Sequence, residues 1–171
     1  VNQLFRECQV RITSIALLHE TLHRSNDLSR IKMGDYVRTL TGHLFRSYGV
    51  DPAVVALELN VEDVEFDIDT GLTCGLIIDE LVSNCLKHAF VDGGSGIVHI
   101  DLFDHLDETF TLCVSDNGIG IPKDGLLNNP DSLGLELVTL LAEKLDGSTE
   151  LRSGAGTEWQ IRFQQLQYSE R

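Results

Sequence analysis

Basic residues are scarce in this sequence: 13 Lys and Arg stand against 27 Asp and Glu, a formal net charge of −14. A surface that acidic repels phosphate backbones, which argues against a general nucleic-acid or anionic-membrane binder but not against a small local phosphate pocket. Long apolar runs are missing as well. Nothing approaches the roughly 18 residues of a membrane span, and no basic-then-apolar leader opens the chain. Cys8, Cys74, Cys85 and Cys113 show no CxxC spacing. Cys74, Cys85 and Cys113 lie in apolar runs, as buried free thiols do, which points to a reduced, cytoplasmic compartment. Internal repeats and low-complexity tracts are also absent. What remains is a globular composition, 42% hydrophobic and 23% charged over 171 residues, sized for one domain or one domain with a helical appendage. The first residue is Val, not Met, so the chain reads as a piece of a longer protein.

Apolar residues at Leu4, Cys8, Ile12, Ile15, Leu18 and Leu22 recur at helical spacing and predict an amphipathic helix over 1–26. A second helix is expected near 33–48, with Tyr36, Val37, Leu40, Leu44 and Phe45 on one face and Gly49 as its stop. From residue 54 the period falls to two, giving two short strands, 54–61 and 64–68, with a turn at Glu62-Asp63. A long apolar helix follows over 70–90, then a hairpin of strands 97–103 and 109–115. Residues 116–131 hold three glycines and two prolines and read as a loop. A helix over 132–145 and strands at 149–153 and 157–164 complete the chain. With hairpins dominating, the order predicts an α+β fold: a mixed, mostly antiparallel sheet with helices on one face, preceded by N-terminal helices.

Five constellations carry chemistry. His19-Glu20-Thr21-Leu22-His23 is a literal HExxH, the pattern that places two imidazoles one helical turn apart on zinc with Glu to activate water. No third ligand follows at a familiar spacing, and Leu18 and Leu22 alternate with the histidines as on a packed helix. In the helix over 70–90, Glu80, Asn84, Lys87 and His88 share one face, a carboxylate, an amide, an ammonium and an imidazole in a row. A solvated polar stripe is the plain alternative. Asp116-Asn117-Gly118-Ile119-Gly120-Ile121-Pro122 places a carboxylate at a strand end followed by glycines, which lets backbone approach a flat or anionic ligand. Ser132-Leu133-Gly134-Leu135 opens a helix, with Ser132 as N-cap and exposed N–H groups suited to phosphate. Gly154-Ala155-Gly156-Thr157 alone is a hairpin turn.

Taken in order over about residues 50–165, these blocks resemble the ATP-binding fold shared by sensor histidine kinases, type II topoisomerases, heat-shock chaperones of the ninety-kilodalton class and mismatch-repair ATPases, the GHKL superfamily. Glu80-xxx-Asn84-xx-Lys87-His88 is similar to the N box, Asp116 to Pro122 to the G1 box, and Ser132-Leu133-Gly134-Leu135 to a shortened G2 box without its leading glycine. Residues 10–50 resemble the segment joining the dimerisation hairpin to the catalytic domain in histidine kinases of the HWE-related subclass.

The resemblance implies a two-layer α/β sandwich of Bergerat type and a division into a helical dimerisation and linker region, 1–49, and an ATP-binding domain, 50–166. It implies ATP and Mg2+ as cofactors. Asp116 would accept from the adenine amino group, supported by Thr157 through water, and Asn84 would offer its amide oxygen to Mg2+. Lys87 and His88 would sit against the phosphates, and Glu80 would orient or deprotonate the nucleophile. Backbone amides around Gly118, Gly120, Gly134 and Leu135 would hold the phosphate chain. By the same resemblance, His19 is not the phosphoacceptor; that histidine lies on an upstream helix of the parent, so the chain alone is expected not to label itself. A response regulator and a second copy of the parent are the implied partners, with no nucleic acid and no membrane contact by this chain. Rival readings are an anti-sigma-type serine kinase, which the helices at 1–48 argue against, a non-kinase ATPase that uses Glu80 to activate water, and an HExxH zinc hydrolase.

Overall fold

The computed structural model describes residues 12, 13, 16, 29–61, 63–105, 107–121 and 132–165. In chain order these form β1 (Arg30–Lys32), α1 (Met33–Ser47), β2 (Val55–Val61), β3 (Glu65–Asp67), α2 (Ile68–Asn84), a π-helical turn (Cys85–Ala89), a short 3-10 turn (Val91–Gly93), β4 (Gly96–Asp104), β5 (Thr109–Asp116), α3 (Ser132–Lys144), β6 (Ser148–Gly154) and β7 (Gly156–Gln164). The helix expected over 1–26 falls almost wholly outside the described residues; positions 12, 13 and 16 are helical.

Five strands form one sheet in the order β2-β4-β5-β7-β6, with β2 parallel to β4 and the remaining pairs antiparallel. The parallel pair follows from connectivity, because the chain returns from β2 to β4 through α2, the crossover that parallel strands need. The predicted mixed, mostly antiparallel sheet is therefore found. Two differences stand out. Residues 54–61 and 64–68 do not pair with each other: β3 pairs antiparallel with β1, a strand the periodicity does not reveal, in a separate two-stranded ribbon. Three residues are too few to show a period of two, and Ile68 begins the helix instead of extending the strand.

Residues directly opposite in antiparallel strands share a face, so Val98, Ile100 and Leu102 line up with Asp116, Val114 and Leu112, and these with Thr157, Trp159 and Ile161. This face carries the core beneath the helices. The other presents polar cross-strand pairs, His99 with Glu58 at 3.1 Å and Arg152 with Glu158 at 3.2 Å. Phe66 of the ribbon packs edge-on against Phe110 at 4.7 Å and against Phe163 at 5.7 Å, fastening the small sheet to the large one.

Helix α2 is buried nearly all round: Cys74, Ile77, Ile78, Leu81 and Val82 pack in the core, and Asp79, Glu80 and Ser83 are buried too. No buried side-chain nitrogen or oxygen among the described residues lacks a hydrogen-bond partner. Asp67 caps the helix, accepting from the Thr70 amide at 2.9 Å and the Thr70 hydroxyl at 2.7 Å. Helix α1 buries Met33, Tyr36, Val37, Leu40, Leu44 and Phe45, the face its spacing predicts, and stops at Gly49 with φ 65°. It lies close on α2 because Gly75 has no side chain: a Cβ there would fall 2.1 Å from Tyr36 Oη.

Two outcomes follow from these contacts. Gly75→Ala forces the fully buried Tyr36 ring to move and is expected to lose about 1–3 kcal/mol in denaturant unfolding. Pairing it with Tyr36→Leu should give a loss clearly smaller than the sum of the single changes; strict additivity would show that the two residues do not share this contact. Asp67→Ala removes the cap of α2 at a cost of about 0.5–2 kcal/mol at neutral pH. Partial burial tends to raise the Asp67 pKa, but bonds from Thr70, Gln165 and the Asp69 amide outweigh it and hold the carboxyl below its usual range. Its stabilisation is complete above the unfolded value of about 4 and fades as pH falls through the lower folded value, so the gap between parent and variant should narrow on acidification in pH-dependent melts. A gap independent of pH would remove the charge from the cap.

Candidate functional site

Strand β5 ends at Asp116, on the helix-covered face and only 8% exposed. A carboxylate accepts but does not donate, so burying it requires donors. Two are present, from different elements. The Gly118 amide donates to Oδ1 at 2.9 Å, and the Cys85 thiol donates to Oδ2 at 3.4 Å. Burial, then the charge of Asp116, hold the Cys85 thiol well above its ordinary pKa, so it remains protonated. Across the sheet, Asp116 faces Thr157. Gly156 makes that approach possible: with φ 110°, it lies so near that a Cβ would fall 2.0 Å from the Asp116 carbonyl oxygen.

Asn117 ends the sheet by mimicking a strand residue, its Oδ1 accepting from the Ile97 amide at 2.8 Å. Beyond it, the glycine loop is laid on the end of the α2 segment. The Ile119 amide donates to the Ala89 carbonyl at 3.0 Å, and a Cβ on Gly118 would fall 2.2 Å from that same oxygen. The Ile121 amide donates to Ser153 Oγ at 2.9 Å, tying the loop to the β6–β7 hairpin as well. Ile119 itself is 59% exposed, an apolar side chain in a loop otherwise pinned by backbone.

Two further groups, Glu80 and Asn84, come from the end of α2. Glu80 is 7% exposed, yet it touches the first turn of α3, where a Cβ on Gly134 would fall 2.7 Å from Glu80 Oε2. Asn84 is half-buried one turn later. The expected regular helix then gives way to the π-helical turn at Cys85–Ala89. Its wider winding rotates Lys87 away from the Glu80–Asn84 row, and Nζ lies 5.9 Å from the centre of the Tyr48 ring. His88 is exposed.

The sequence-predicted residues Glu80, Asn84, Asp116, Gly118, Gly120, Gly134 and Thr157 thus gather at one end of the sheet, beside the end of α2 and the start of α3. Leu135 is half-buried against the core. Ser132 begins α3, and its side chain lies outside the described residues, as do the loop 122–131 and the HExxH at 19–23. Among the described residues, no group of three or more His, Cys, Asp and Glu is placed to hold a metal ion. An ion held by one amide oxygen with phosphate oxygens and waters needs no such group. Sequence reasoning missed Cys85, which sits on the apolar side of its helix, and Tyr48, whose role depends on a helix it does not belong to.

Residues 1–48 match the family described as "Histidine kinase", and residues 71–167 match "Histidine kinase-, DNA gyrase B-, and HSP90-like ATPase". The chain is 33% identical over 162 residues to blue-light-activated histidine kinase 2 of Erythrobacter litoralis, covering 92% of this chain and 46% of the relative. It is 31% identical over 144 residues to the sensor histidine kinase PdtaS of Mycobacterium tuberculosis, covering 83% of this chain and 28% of the relative. The chain therefore spans less than half the length of these curated relatives. Among solved structures, the histidine kinase domain of the Erythrobacter litoralis EL346 blue-light-activated kinase superposes with TM-score 0.80 at 24% identity, over 92% of this chain and 74% of that one. The mycobacterial sensor histidine kinase MprB shares the fold with TM-score 0.64 at 17% identity, over 80% of this chain and 98% of that one.

The seating of the glycine loop is open to test. Gly118→Ala pushes a methyl into the Ala89 carbonyl and should break the bond from the Ile119 amide. Hydrogen exchange at Ile119 is expected to quicken about tenfold while core amides keep their protection. Unchanged protection at Ile119 would mean the loop is held from elsewhere.

Proposed function

The chain belongs to the histidine kinase-, DNA gyrase B- and HSP90-like ATPase family, and on that premise we propose that it is the ATP-binding catalytic part of a two-component sensor histidine kinase, passing the γ-phosphate of ATP to a histidine on the parent's phosphoacceptor helix. The observation that carries this reading is Asp116: a buried acceptor at the end of a strand, held by two donors, with Thr157 across from it and a glycine loop beside it. An acceptor so placed matches the amino group of adenine and opposes the carbonyl of guanine.

Each residue's proposed part follows from its position. Asp116 reads the base, with Thr157 supporting it through water. The Gly118 and Ile119 amides already donate to Asp116 and Ala89, so Gly118 shapes the loop while the amides of Gly120, Gly134 and Leu135 cradle the phosphate chain, at the N-terminal end of α3 that Ser132 opens. Asn84 offers its amide oxygen to Mg2+, which when bound neutralises charge on the phosphates. Lys87 reaches the phosphates by swinging its flexible stem off Tyr48, and exposed His88 stands beside it. Glu80 takes the proton of the attacking imidazole as its nitrogen bonds to phosphorus and the bond to the ADP oxygen breaks. Gly134 leaves room for this, since any side chain there would press on the carboxylate.

The proposal divides the chain into a helical dimerisation and linker region, 1–49, and a nucleotide-binding unit, 50–166. That division is one of chain segments, since α1 shares its core with the sheet. A second copy of the parent and a response regulator are the proposed partners. A reducing, cytoplasmic setting is in keeping with Cys74, Cys85 and Cys113 as buried free thiols. Among the described residues, no helix is long and apolar enough to cross a membrane.

Two measurements test the site. Leaving a buried acceptor unpaired costs about 1–3 kcal/mol, so ATP is expected to bind at least about tenfold tighter than GTP, and Asp116→Ala to lower ATP affinity and flatten that preference. A variant that still selects ATP as the parent does would place base reading elsewhere. By calorimetry with and without magnesium, Asn84→Ala should weaken mainly the magnesium-dependent part of ATP binding; equal losses in both conditions would remove Asn84 from the metal.

A further inference from the structure

The buried contact between Cys85 and Asp116 joins two segments 31 residues apart, and nothing in the ATP-binding reading above uses the thiol. We infer that Cys85 is a positioning residue for purine recognition: its thiol orients the Asp116 carboxylate, so that the remaining acceptor positions of that carboxylate face the base. The inference rests on the reading of Asp116 as the adenine acceptor and deepens it.

The terminal torsion of an aspartate is soft and nearly two-fold, so a carboxylate held at one oxygen can pivot about it. At Asp116, the Gly118 amide holds Oδ1 at 2.9 Å from the loop side. Cys85 holds Oδ2 at 3.4 Å from the helix side. Two donors on two oxygens from two elements fix the plane of the group. Each carboxylate oxygen has two acceptor positions, so each bond leaves one for an incoming ligand. The Gly118 donor is a backbone amide, and the Cys85 sulfur sits in the π-helical turn that also seats the glycine loop through the Ala89 carbonyl. A carboxylate oxygen accepts, so at 3.4 Å from Oδ2 the Cys85 thiol is the donor of this contact.

A cysteine present only to fill space makes a different forecast from one present to donate. Cys85→Ser keeps an O–H donor with less apolar volume, whereas Cys85→Val keeps apolar volume without a donor, and Cys85→Ala loses both. ATP and GTP affinities of the four proteins, by calorimetry, separate the two roles. Cys85→Ser is expected to stay within about twofold of the parent in ATP affinity and in the ATP-to-GTP ratio. Val and Ala variants should lose about three- to tenfold in ATP affinity and compress the ratio by a similar factor. A ratio preserved in the Val and Ala variants, or a loss equal in all three, would overturn the inference. Asp116→Ala, measured alongside, tells the two levels apart. If it destroys base preference while the Cys85 variants keep it, Cys85 alone loses its role. If it leaves base preference intact, the adenine reading fails and the inference with it. The infrared S–H stretching band gives a readout on the unmutated thiol, should a variant fold poorly. The band from Cys85 is expected at the lowered frequency of a thiol donating to a carboxylate, moving toward the free-thiol position in Asp116→Ala; a band that Asp116→Ala leaves unmoved would overturn the contact.

Discussion

Everything at the candidate site depends on a seam where the end of α2 meets the end of β5. Burying the Asp116 carboxylate without donors would cost several kcal/mol, of order the whole margin by which a domain of this size is stable. The seam supplies those donors from both sides, Cys85 from the helix and Gly118 from the loop. The same few residues seat the loop through the Ile119 amide on the Ala89 carbonyl. The proposed base-reading acceptor and the proposed phosphate-holding loop are thus parts of one joint.

Helix α2 can carry that joint because it is held on almost every side. Its apolar residues pack under the sheet, its cap ties it to β3 through Asp67, and Gly75 admits Tyr36 of α1 at close range. A helix so enclosed would normally be apolar throughout. Here Asp79, Glu80 and Ser83 are buried as well. Burial is tolerated there because no buried side-chain nitrogen or oxygen among the described residues lacks a hydrogen-bond partner. Lys87 extends the same logic outward, since the π-helical turn delivers its ammonium to Tyr48 at the end of α1. That contact makes the end of α1 a direct neighbour of the π-helical turn.

Much of this was legible in the sequence because it is local. Helical spacing in Tyr36, Val37, Leu40 and Leu44, alternation along β4 and β5, and glycines at turns each report on a few neighbouring residues, and the elements fall close to where those patterns place them. The blocks at Glu80–His88, Asp116–Gly120 and Gly154–Thr157 were legible for the same reason: helical spacing puts Glu80 and Asn84 on one face, and the glycines of the other two blocks give their turns the backbone freedom they need.

What the sequence by itself determined is therefore the identity and order of the elements, β1 and the π-helical turn excepted, and the residues available for chemistry. Tertiary structure alone decided the rest. The pairing of β1 with β3, the face on which Asp116 meets Thr157, the first turn of α3 set against Glu80, and the bond from Cys85 all join residues distant in the chain. Cys85 reads as one more apolar residue of its helix until β5 is laid beside it. Only then does the thiol have a carboxylate to donate to, because a hydrogen bond is set by distance in space and not by spacing in sequence.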